Sequence, residues 1–596
     1  MTSTTADPTQ ARSTETAPLR RLWQRCRPSL TPNALIFIST LYFMLVLNTA
    51  FWRLIAGQLE HGATGSPLLG AQMAGFMAGL TLLLFALLRF PYVLKPALAA
   101  LIVAGAGAAY FMNTYGVLID DDMLRNALQT DAAETAGLLS WTLLVYLLAL
   151  GLLPAIVLMR VRLRWATPLR SLLQTSGLIL IAILLTAASV AVNYKAAAPF
   201  VREHGKQMRF SANPLNLVQS SIKLARHSQL LASDTPYHTV ADYVRRTPDA
   251  AGTPPNLTVL VVGETARAMN FSLNGYHRNT NPELAKLDVV NFNSVASCGT
   301  ATAISLPCMF SGLGRDHYSS SAVFNRENLL DIAKRAGYRV LWIDNQAGSK
   351  EVSNRVETRQ LTGPANEWGE VSDASFIDAF ERVLDEPAQP TLLVMHQMGS
   401  HGPEYYKRSS ATTKRFLPEC RDKQFDRCTE QEIRNAYDNS IVETDHLLAG
   451  LIKAAQRNNP QRPVSILYAS DHGESIGENG LYLHGMPYAM APGEQTHVPM
   501  IYWANPAAAR FAGVSATCAA DQQNRALSHD NYYDSVLGLL RIEADIYNAE
   551  RDIFSNCRPA PAGPATSPLR QARDETRSTG QSRSKLVSHS TAAEPS

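Results

Sequence analysis

Five apolar segments of membrane-spanning length dominate the first third of this 596-residue chain, and they constrain its fold more than any other feature. Each is close to the roughly 20 apolar residues that a helix needs to cross a bilayer. Five such runs in succession argue against the buried helices of a soluble protein. The first is not a cleaved signal peptide, because a long polar stretch precedes it and more spans follow at once. The predicted spans are residues 34–55, 68–88, 96–114, 138–159 and 172–192.

Lys and Arg residues in the short loops predict how these spans are oriented. The stretch before the first span and the loops after the second and fourth spans are basic, so they should be cytoplasmic. The loop after the third span is acidic, with four Asp and one Glu against a single Arg, and should lie outside. An odd number of spans then puts everything after Val192 outside as well.

The cysteines agree with this orientation. Six of the seven fall in the outer part of the chain, and an even number in an oxidising compartment predicts disulfides. Cys298–Cys308 and Cys420–Cys428 are the natural short-range pairs, and Cys518–Cys557 is what remains. Unpaired buried thiols and a Cys-ligated zinc site stay open as alternatives, although the chain has no Cys-x-x-Cys.

The outer part of the chain is predicted to form an α/β domain. Strand-like apolar runs at 257–262, 339–343, 392–396 and 466–469 alternate with helical segments. This alternation predicts a largely parallel sheet with helices packed on it. In such sheets, sites gather at the carboxyl ends of the strands.

The chain is therefore predicted to have five parts. They are a cytoplasmic tail (1–33), a five-span transmembrane domain (34–194), periplasmic connector helices (195–255), a periplasmic catalytic α/β domain (256–557) and a disordered tail rich in Pro, Ser, Thr and Ala (558–596). The connector is amphipathic and basic, so it could rest on anionic lipid headgroups.

Polar residues that follow two of the strands predict a metal site. Glu264 follows the first strand, and Asp471 and His472 follow the last one. Two carboxylates and an imidazole suit zinc, with manganese or magnesium less favoured. The hydroxyl-rich segment between Cys298 and Cys308 could supply a nucleophile, because a hydroxyl next to zinc loses its proton more readily. Taken singly, Glu264 and Thr302 could equally be ordinary helix caps.

Four stretches of the chain resemble the lipid A phosphoethanolamine transferases, the family that includes the mobile colistin-resistance enzymes. They are residues 261–276 with the sequence VVGETARAMNFSLNGY, the segment 298–308, residues 395–403 with MHQMGSHGP, and residues 470–475 with SDHGES followed by HG at 484–485. The resemblance implies a sulfatase-type, alkaline-phosphatase-like hydrolase domain behind a five-helix transmembrane domain.

The resemblance also implies roles for individual residues. Glu264, Asp471 and His472 match zinc ligands, and Thr302 matches the nucleophile that also touches zinc, with Thr300 less favoured. His401 and His484 match histidines near the substrate phosphate or a second zinc. The residues that match substrate-binding positions are Lys350, Gln346 in place of the usual asparagine, His396, and the lipid-pocket residues Asn126, Thr130 and Glu134.

The implied activity is transfer of phosphoethanolamine from phosphatidylethanolamine to a phosphate of lipid A through a phosphothreonine-type intermediate. The enzyme would be a monomer in the bacterial inner membrane, with its N-terminus cytoplasmic. It would bind one zinc, and a second zinc stays open as an alternative. The product would be less anionic, which implies resistance to polymyxin and other cationic peptides. A net charge of +3 gives no indication of a nucleic-acid partner.

Three other functions remain open. The acceptor could be a core sugar or a membrane-derived oligosaccharide, or the chain could be a phosphoglycerol transferase or a sulfatase-like hydrolase. The last is disfavoured because no Cys/Ser-x-Pro-x-Arg motif lies at the nucleophile. A non-enzymatic membrane sensor or assembly protein would be expected to have lost a metal ligand. A transporter is disfavoured because the spans carry almost no charge at mid-depth.

Overall fold

The computed structural model describes residues 28–61, 67–129, 137–192, 194–232, 237–249, 251–323, 325–346, 348–458 and 460–558. Most of the predicted cytoplasmic tail and all but Arg558 of the predicted C-terminal tail lie outside these residues. Thr130 and Glu134 of the predicted lipid pocket also lie outside them.

The first part of the chain is helical. Among the described residues, four helices are long and apolar enough to span a membrane, and a bent pair makes a fifth candidate. The helices are α1 (Pro32–Tyr42), α2 (Thr49–His61), α3 (Pro67–Leu87), α4 (Leu94–Thr114), α5 (Asp121–Gln129), α6 (Trp141–Tyr146), α7 (Leu153–Arg160), α8 (Pro168–Ala191), α9 (Tyr194–Ser211) and α10 (Leu215–Ala232). The π-helical turns Phe43–Leu47 and Leu147–Leu152 extend α1 and join α6 to α7.

The first predicted span is not one straight helix. Its two halves meet at a bend of 58°, where Asn48 leaves the helical conformation. The Asn48 side chain donates to the carbonyl of Phe43 and accepts from the backbone N–H of Asn213 at 2.8 Å. A polar side chain that satisfies freed backbone groups in this way is a common cause of a kink. The bend thus ties the first span to the turn between α9 and α10.

Small residues bring α3 and α8 together. Gly75 and Gly79 lie four residues apart on α3, and a Cβ atom at either position would clash with the side chain of Ser189 or Thr186 on α8. Glycines at this spacing allow two membrane helices to approach closely. The close approach explains why this pair forms one of the tightest helix contacts of the region.

The ends of the spans predicted to be cytoplasmic are joined to one another. Ser29–Leu30 pairs as a short parallel strand with Arg162–Leu163. Arg89 is 3% exposed and donates to side chains of Asn33 and Gln174, as well as to two hydroxyls of α8. The segment before the first span, the loop after the second and the loop after the fourth therefore lie on one side, as the charge pattern requires.

The second part of the chain is built on a seven-stranded sheet, and all four predicted strands are present in it. The strands are β1 (Leu257–Gly263), β2 (Val290–Phe292), β3 (Arg339–Asp344), β4 (Glu357–Gln360), β5 (Thr391–His396), β6 (Val464–Ser470) and β7 (Met500–Ala504). Their order is β2-β7-β6-β1-β5-β3-β4, and β7 runs in the opposite direction to the other six strands. The fully buried strands β1 and β6 lie side by side at the centre.

Helices cover both faces of this sheet. They are α11 (Thr302–Ser311), α12 (Ser320–Val323), α13 (Leu329–Arg335), α14 (Ser375–Asp385), α15 (Glu430–Arg457), α16 (Gly493–Thr496), α17 (Pro506–Ala512), α18 (Ala516–Asp521) and α19 (Tyr532–Leu539). Because side chains alternate along a strand, Val259 and Val261 pack into one apolar cluster and Leu260 and Val262 into the other. The domain is thus a three-layer α/β sandwich.

Aromatic side chains join the two parts of the molecule. Tyr110 and Tyr115, at the end of α4, belong to the same buried cluster as Tyr405 and Phe425 of the α/β domain. The Tyr482 backbone N–H donates to the Tyr115 carbonyl at 3.0 Å. The α/β domain therefore packs directly on the membrane helices.

Three disulfides cross-link the α/β domain. They are Cys298–Cys308, Cys420–Cys428 and Cys518–Cys557, the pairs expected from the sequence. The first closes a loop that contains Thr302, so it limits how far this part of the chain can move.

Candidate active site

Two adjacent central strands bring the predicted metal ligands together. Glu264 follows β1, Asp471 and His472 follow β6, and the Asp471 backbone N–H donates to the Gly263 carbonyl at 3.0 Å. All three side chains are fully buried, and one ligand atom from each lies within 4.8 Å of the others. Parallel pairing of the two strands thus places residues 207 positions apart in the chain at a single point.

A third loop packs against Glu264. The chain turns sharply after this residue, since Thr265 has φ 54°. A Cβ atom at Gly399, which has φ 57°, would lie 2.5 Å from the Glu264 carbonyl oxygen. The neighbouring Ser400 N–H donates to that same oxygen at 2.9 Å. Only glycine fits at position 399, and this close approach brings His401 to the site.

Thr302 is the first residue of α11, and its hydroxyl points into the cluster. Its Oγ1 donates to the Glu264 carboxylate, with oxygens at 3.0 and 3.2 Å, and lies 3.4 Å from Nε2 of His472. The Thr300 hydroxyl instead donates to the Met486 carbonyl at 2.6 Å. Of the two threonines considered from the sequence, only Thr302 therefore faces the carboxylates.

The cluster has the electrostatics of a cation site. Burial and the charge of Glu264 raise the pKa of Asp471 to about 6. Burial, the largest single effect, opposes ionisation of Glu264, but the hydrogen bond to His472 and the charges of the neighbouring histidines together outweigh it and lower the pKa of this carboxyl. Although burial disfavours a charged imidazole, the two carboxylates raise the pKa of His472 to about 10. Two buried carboxylates so close together require a positive charge between them.

The donor atoms of the cluster are also arranged to accept a metal ion. Nδ1 of His472 lies 2.9 Å from the Gly473 carbonyl, which keeps a proton on that nitrogen and turns Nε2 toward the carboxylates, where a metal ion would replace the Nε2 proton. Oδ2 of Asp471 is buried and has no hydrogen-bond partner among the described residues. An orphaned carboxylate oxygen beside this imidazole nitrogen fits a zinc ion.

His401 and His484 lie beside the cluster as a pair. Their ring centroids are 5.3 Å apart, and the His484 ring is 4.6 Å from the His472 ring. Nδ1 of His484 lies 2.9 Å from Glu474, whose other oxygen accepts from the Tyr405 hydroxyl at 2.8 Å. The Glu474 carboxylate thus orients His484, a role that the sequence did not reveal.

His396 ends β5, next to β1. It is fully buried, its Nδ1 lies 2.8 Å from Oδ1 of Asp344, and its Nε2 has no hydrogen-bond partner among the described residues. Burial lowers the pKa of His396, but Asp344 outweighs this effect and raises it. Asp344 was missed from the sequence, although it follows the predicted strand 339–343 just as Glu264 follows the strand before it.

His529 is a second residue that sequence reasoning missed. It is 2% exposed, its Nδ1 accepts from the Cys298 N–H at 3.1 Å, and its Nε2 lies 3.0 Å from the Ser470 carbonyl. Burial lowers the pKa of His529 to about 3, so the ring is neutral. It joins the disulfide loop that carries Thr302 to the strand that carries Asp471, and no local motif surrounds it in the sequence.

A cavity of about 480 Å³ opens beside α11. Ala303 and Pro307 of α11 line one part of it. Its charged lining residues are four cations and two carboxylates, namely Arg125, Arg326, Lys350 and Arg355 with Glu327 and Glu351. Arg125 belongs to α5, which packs against α11. The cavity is therefore a cationic pocket between the two parts of the molecule, next to Thr302.

The other predicted substrate residues lie around this region. Asn126 is buried on α5, and Gln346 is buried two residues after β3. Lys350 has φ 49°, a left-handed conformation that turns the chain at the rim of the cavity. Thr130 and Glu134 fall outside the described residues, so their predicted place in the lipid pocket is untested.

Comparisons with known proteins agree on one family. Residues 256–542 match the sulfatase family, and residues 77–229 match the family described as phosphoethanolamine transferase EptA/EptB. Phosphoethanolamine transferase EptA of Escherichia coli K12 is 36% identical over 547 residues, which cover 91% of this chain and 99% of that protein. Phosphatidylethanolamine transferase Mcr-1 of Escherichia coli is 38% identical over 538 residues, covering 87% and 96%.

A solved structure has the same architecture. The integral membrane lipooligosaccharide phosphoethanolamine transferase A (EptA) of Neisseria meningitidis is 34% identical and superposes with a TM-score of 0.84. The match covers 89% of this chain and all of that one, so it includes the membrane helices as well as the α/β domain.

Proposed function

Because the chain belongs to the phosphoethanolamine transferase EptA/EptB family, we propose that it moves phosphoethanolamine from phosphatidylethanolamine to a phosphate of lipid A, with Thr302 as the nucleophile. Its membership makes it a phosphoethanolamine transferase with an N-terminal multi-helix membrane region. The donor, the acceptor, the covalent intermediate and the metal are our proposals.

The position of the Thr302 hydroxyl carries the proposal. It donates to Glu264 at 3.0 Å and lies 3.4 Å from His472. Glu264, Asp471, His472 and this hydroxyl would hold a zinc ion, which when bound supplies positive charge that favours the threonine alkoxide and offsets charge on a transferring phosphoryl group. A second zinc would have His401 and His484 as its nearest imidazoles.

The first half-reaction would load the threonine. Oγ1 of Thr302 attacks the donor phosphorus, and its proton passes to a neutral His401 or His484. The bond from phosphorus to the glycerol oxygen breaks, and the same histidine gives that proton to the leaving alkoxide. Diacylglycerol departs and phosphoethanolamine stays on Thr302. Lys350 and the other cations of the adjacent cavity would bind the phosphoryl oxygens.

The second half-reaction would reverse these proton transfers. An oxygen of the acceptor phosphate attacks the same phosphorus and gives its proton to that histidine, which is neutral again. The bond between phosphorus and Oγ1 breaks, and the histidine returns the proton to Thr302. Atoms and protons balance over the cycle, so the enzyme needs no further co-reactant.

The proposed substrates and location rest on three supports. The meningococcal relative is by its name a lipooligosaccharide phosphoethanolamine transferase and an integral membrane protein. The cationic cavity beside Thr302 suits anionic phosphates. The basic loops lie on one side, opposite the α/β domain, which supports an inner-membrane protein with a cytoplasmic N-terminus and a periplasmic active site. Added ammonium on lipid A would weaken binding of polymyxin.

Mass spectrometry of lipid A from cells that express the chain tests the proposal. Wild type should add one phosphoethanolamine to lipid A, and Thr302→Ala should abolish the addition. Thr300→Ala is the matched control, because its hydroxyl donates to Met486 and faces away from the cluster. It should retain transfer, and both variants should insert in the membrane at wild-type levels.

Two results would overturn parts of the proposal. Full transfer by Thr302→Ala would remove the nucleophile assignment. Unmodified lipid A from well-expressed wild type, with phosphoethanolamine found instead on a core sugar or a membrane-derived oligosaccharide, would replace the acceptor and leave the chemistry of the site in place.

A further inference from the structure

A groove whose lining includes none of the active-site residues runs between α3, α8, α9 and α10, with a volume of about 950 Å³. That volume is at the upper end of the roughly 300–1,000 Å³ typical of small-molecule sites. Its lining is mostly apolar, and its polar members are Gln72, Ser189, Arg202, Arg209 and Gln219. We call it the α3–α10 groove.

Gln72 is the unusual member of the groove lining. Its side chain is 5% exposed, and neither its amide nitrogen nor its amide oxygen has a hydrogen-bond partner among the described residues. Buried amides are nearly always paired, so a fully unpaired one indicates a missing partner. The amide lines the groove, where a ligand with both polar and apolar parts could reach it.

Two arginines of α9 line the groove with Gln72. Arg202 and Arg209 are exposed, and neither forms an ion pair with a described carboxylate. Nε of Arg209 donates to the Gln219 side chain at 2.7 Å, which holds the guanidinium at the groove. A pair of arginines above an apolar slot matches an anionic headgroup attached to hydrocarbon.

The apolar wall is long enough to cover one leaflet of a bilayer. On α3 the lining runs from Met73 to Leu87. At about 1.5 Å per residue, this stretch is about 21 Å long. Half of the hydrocarbon core of a bilayer is about 15 Å. An acyl chain that enters beside Gln72 would therefore be covered along the depth of its leaflet.

From these observations we propose that the α3–α10 groove is a binding site for one diacyl glycerophospholipid, separate from the catalytic pocket. Arg202 and Arg209 bind its phosphate, the Gln72 amide binds its glycerol ester region, and its chains lie along α3. The bound lipid also supports α10, because Val218 and Ile222 line the groove while Leu224 of the same helix lines the cavity beside Thr302.

The test measures binding of dioleoyl phosphatidylglycerol to the full chain in detergent by native mass spectrometry. This lipid has the phosphate and the chains but not the ethanolamine that the proposed transfer reaction uses, so the result does not depend on catalysis. We expect one retained lipid per wild-type chain. Dioleoylglycerol, which lacks the phosphate, should not compete for this site.

Three variants locate the bound lipid. The double variant Arg202→Gln/Arg209→Gln should bind it about 30-fold more weakly, given the usual contribution of an arginine near an anionic headgroup. Gln72→Leu should also bind the lipid more weakly. Leu has nearly the same volume as Gln, so this variant should still fold. Arg226→Gln is the matched control, since Arg226 is an exposed arginine of α10 outside the groove.

The outcomes separate a defined site from general lipid contact. Equal binding by all variants, or a broad distribution of bound lipids without a one-to-one complex, would overturn the proposal. Loss of binding in the arginine pair and in Gln72→Leu but not in Arg226→Gln would establish it. If Thr302 proves not to be the nucleophile, none of these results changes.

Discussion

His529 offers a quantitative test of how the active site is held together. Replacing it with Leu keeps the volume of the side chain but removes the partners of the Cys298 N–H and the Ser470 carbonyl, both in buried surroundings. Each buried polar group left unpaired costs about 1–3 kcal/mol, so the variant should be about 2–6 kcal/mol less stable at neutral pH. The Gln side chain of His529→Gln carries both a donor and an acceptor, so this variant should lose less stability than His529→Leu.

The difference in stability between wild type and His529→Leu should also depend on pH. Burial lowers the pKa of His529 to about 3 in the folded protein, whereas an unfolded histidine has a pKa of about 6.5. Below about pH 6.5 the unfolded chain takes up a proton that the folded protein refuses, so wild type loses stability as the pH falls through this window. At pH 5 the loss amounts to about 2 kcal/mol. The His529→Leu variant has no histidine at this position, so it does not show this loss of stability at low pH.

Thermal unfolding of the full chain in detergent, followed by tryptophan fluorescence, measures both effects. Trp342 and Trp503 lie in β3 and β7 and report on the α/β domain. The gap in Tm between wild type and His529→Leu should narrow from about pH 7.5 to about pH 5 by roughly 4–8 °C, at about 2–4 °C per kcal/mol. A gap that stays constant would show that His529 is not a buried neutral base, and no gap at either pH would refute the hydrogen-bond argument as well.

Three further predictions follow from the site and the membrane helices. Chelation should abolish transfer, and zinc should restore it better than magnesium. Elemental analysis should find the metal in wild type but not in Glu264→Gln. Full activity in the chelated, metal-free protein would contradict the zinc assignment. Asp344→Asn should raise the donor KM by about 10-fold with a smaller change in kcat, because the carboxylate that orients His396, matched to a substrate-binding position, is lost. Kinetics identical to wild type would assign Asp344 a purely structural role. Gly79→Leu should lower Tm through its clash with Thr186, whereas Gly177→Leu, with open space at its Cβ position, should not, and equal Tm values would argue against close packing of α3 on α8.

The sequence predicts the sheet and the ligand trio because both depend on local patterns. A short apolar run bounded by polar residues identifies β1 and β6, and the carboxyl-end rule then directs attention to Glu264 and Asp471. The same rule applied to β3 would have found Asp344, which ends that strand. Its signal was present in the sequence and was overlooked.

Other features depend on contacts that no local pattern encodes. Asn48 bends the first span through a bond to Asn213, which lies 165 positions later in the chain. His529 reaches Cys298 across 231 positions, and nothing beside it in the sequence distinguishes it from a surface histidine. Sequence periodicity detects helices and strands, but it carries no information about which distant side chain completes a hydrogen bond.

The shared aromatic core of Tyr115, Tyr405 and Phe425 decides how substrates must arrive. A domain joined to the membrane region only by a flexible linker could bind lipids at varying distances from the membrane. Here swinging the α/β domain away would expose buried rings from both parts of the molecule, at a cost of about 1.5–3 kcal/mol for each large side chain. The active site is therefore held at a fixed distance from the membrane surface. Donor and acceptor have to reach it by lateral diffusion in the plane of the membrane, so turnover should scale with their surface density rather than with their bulk concentration.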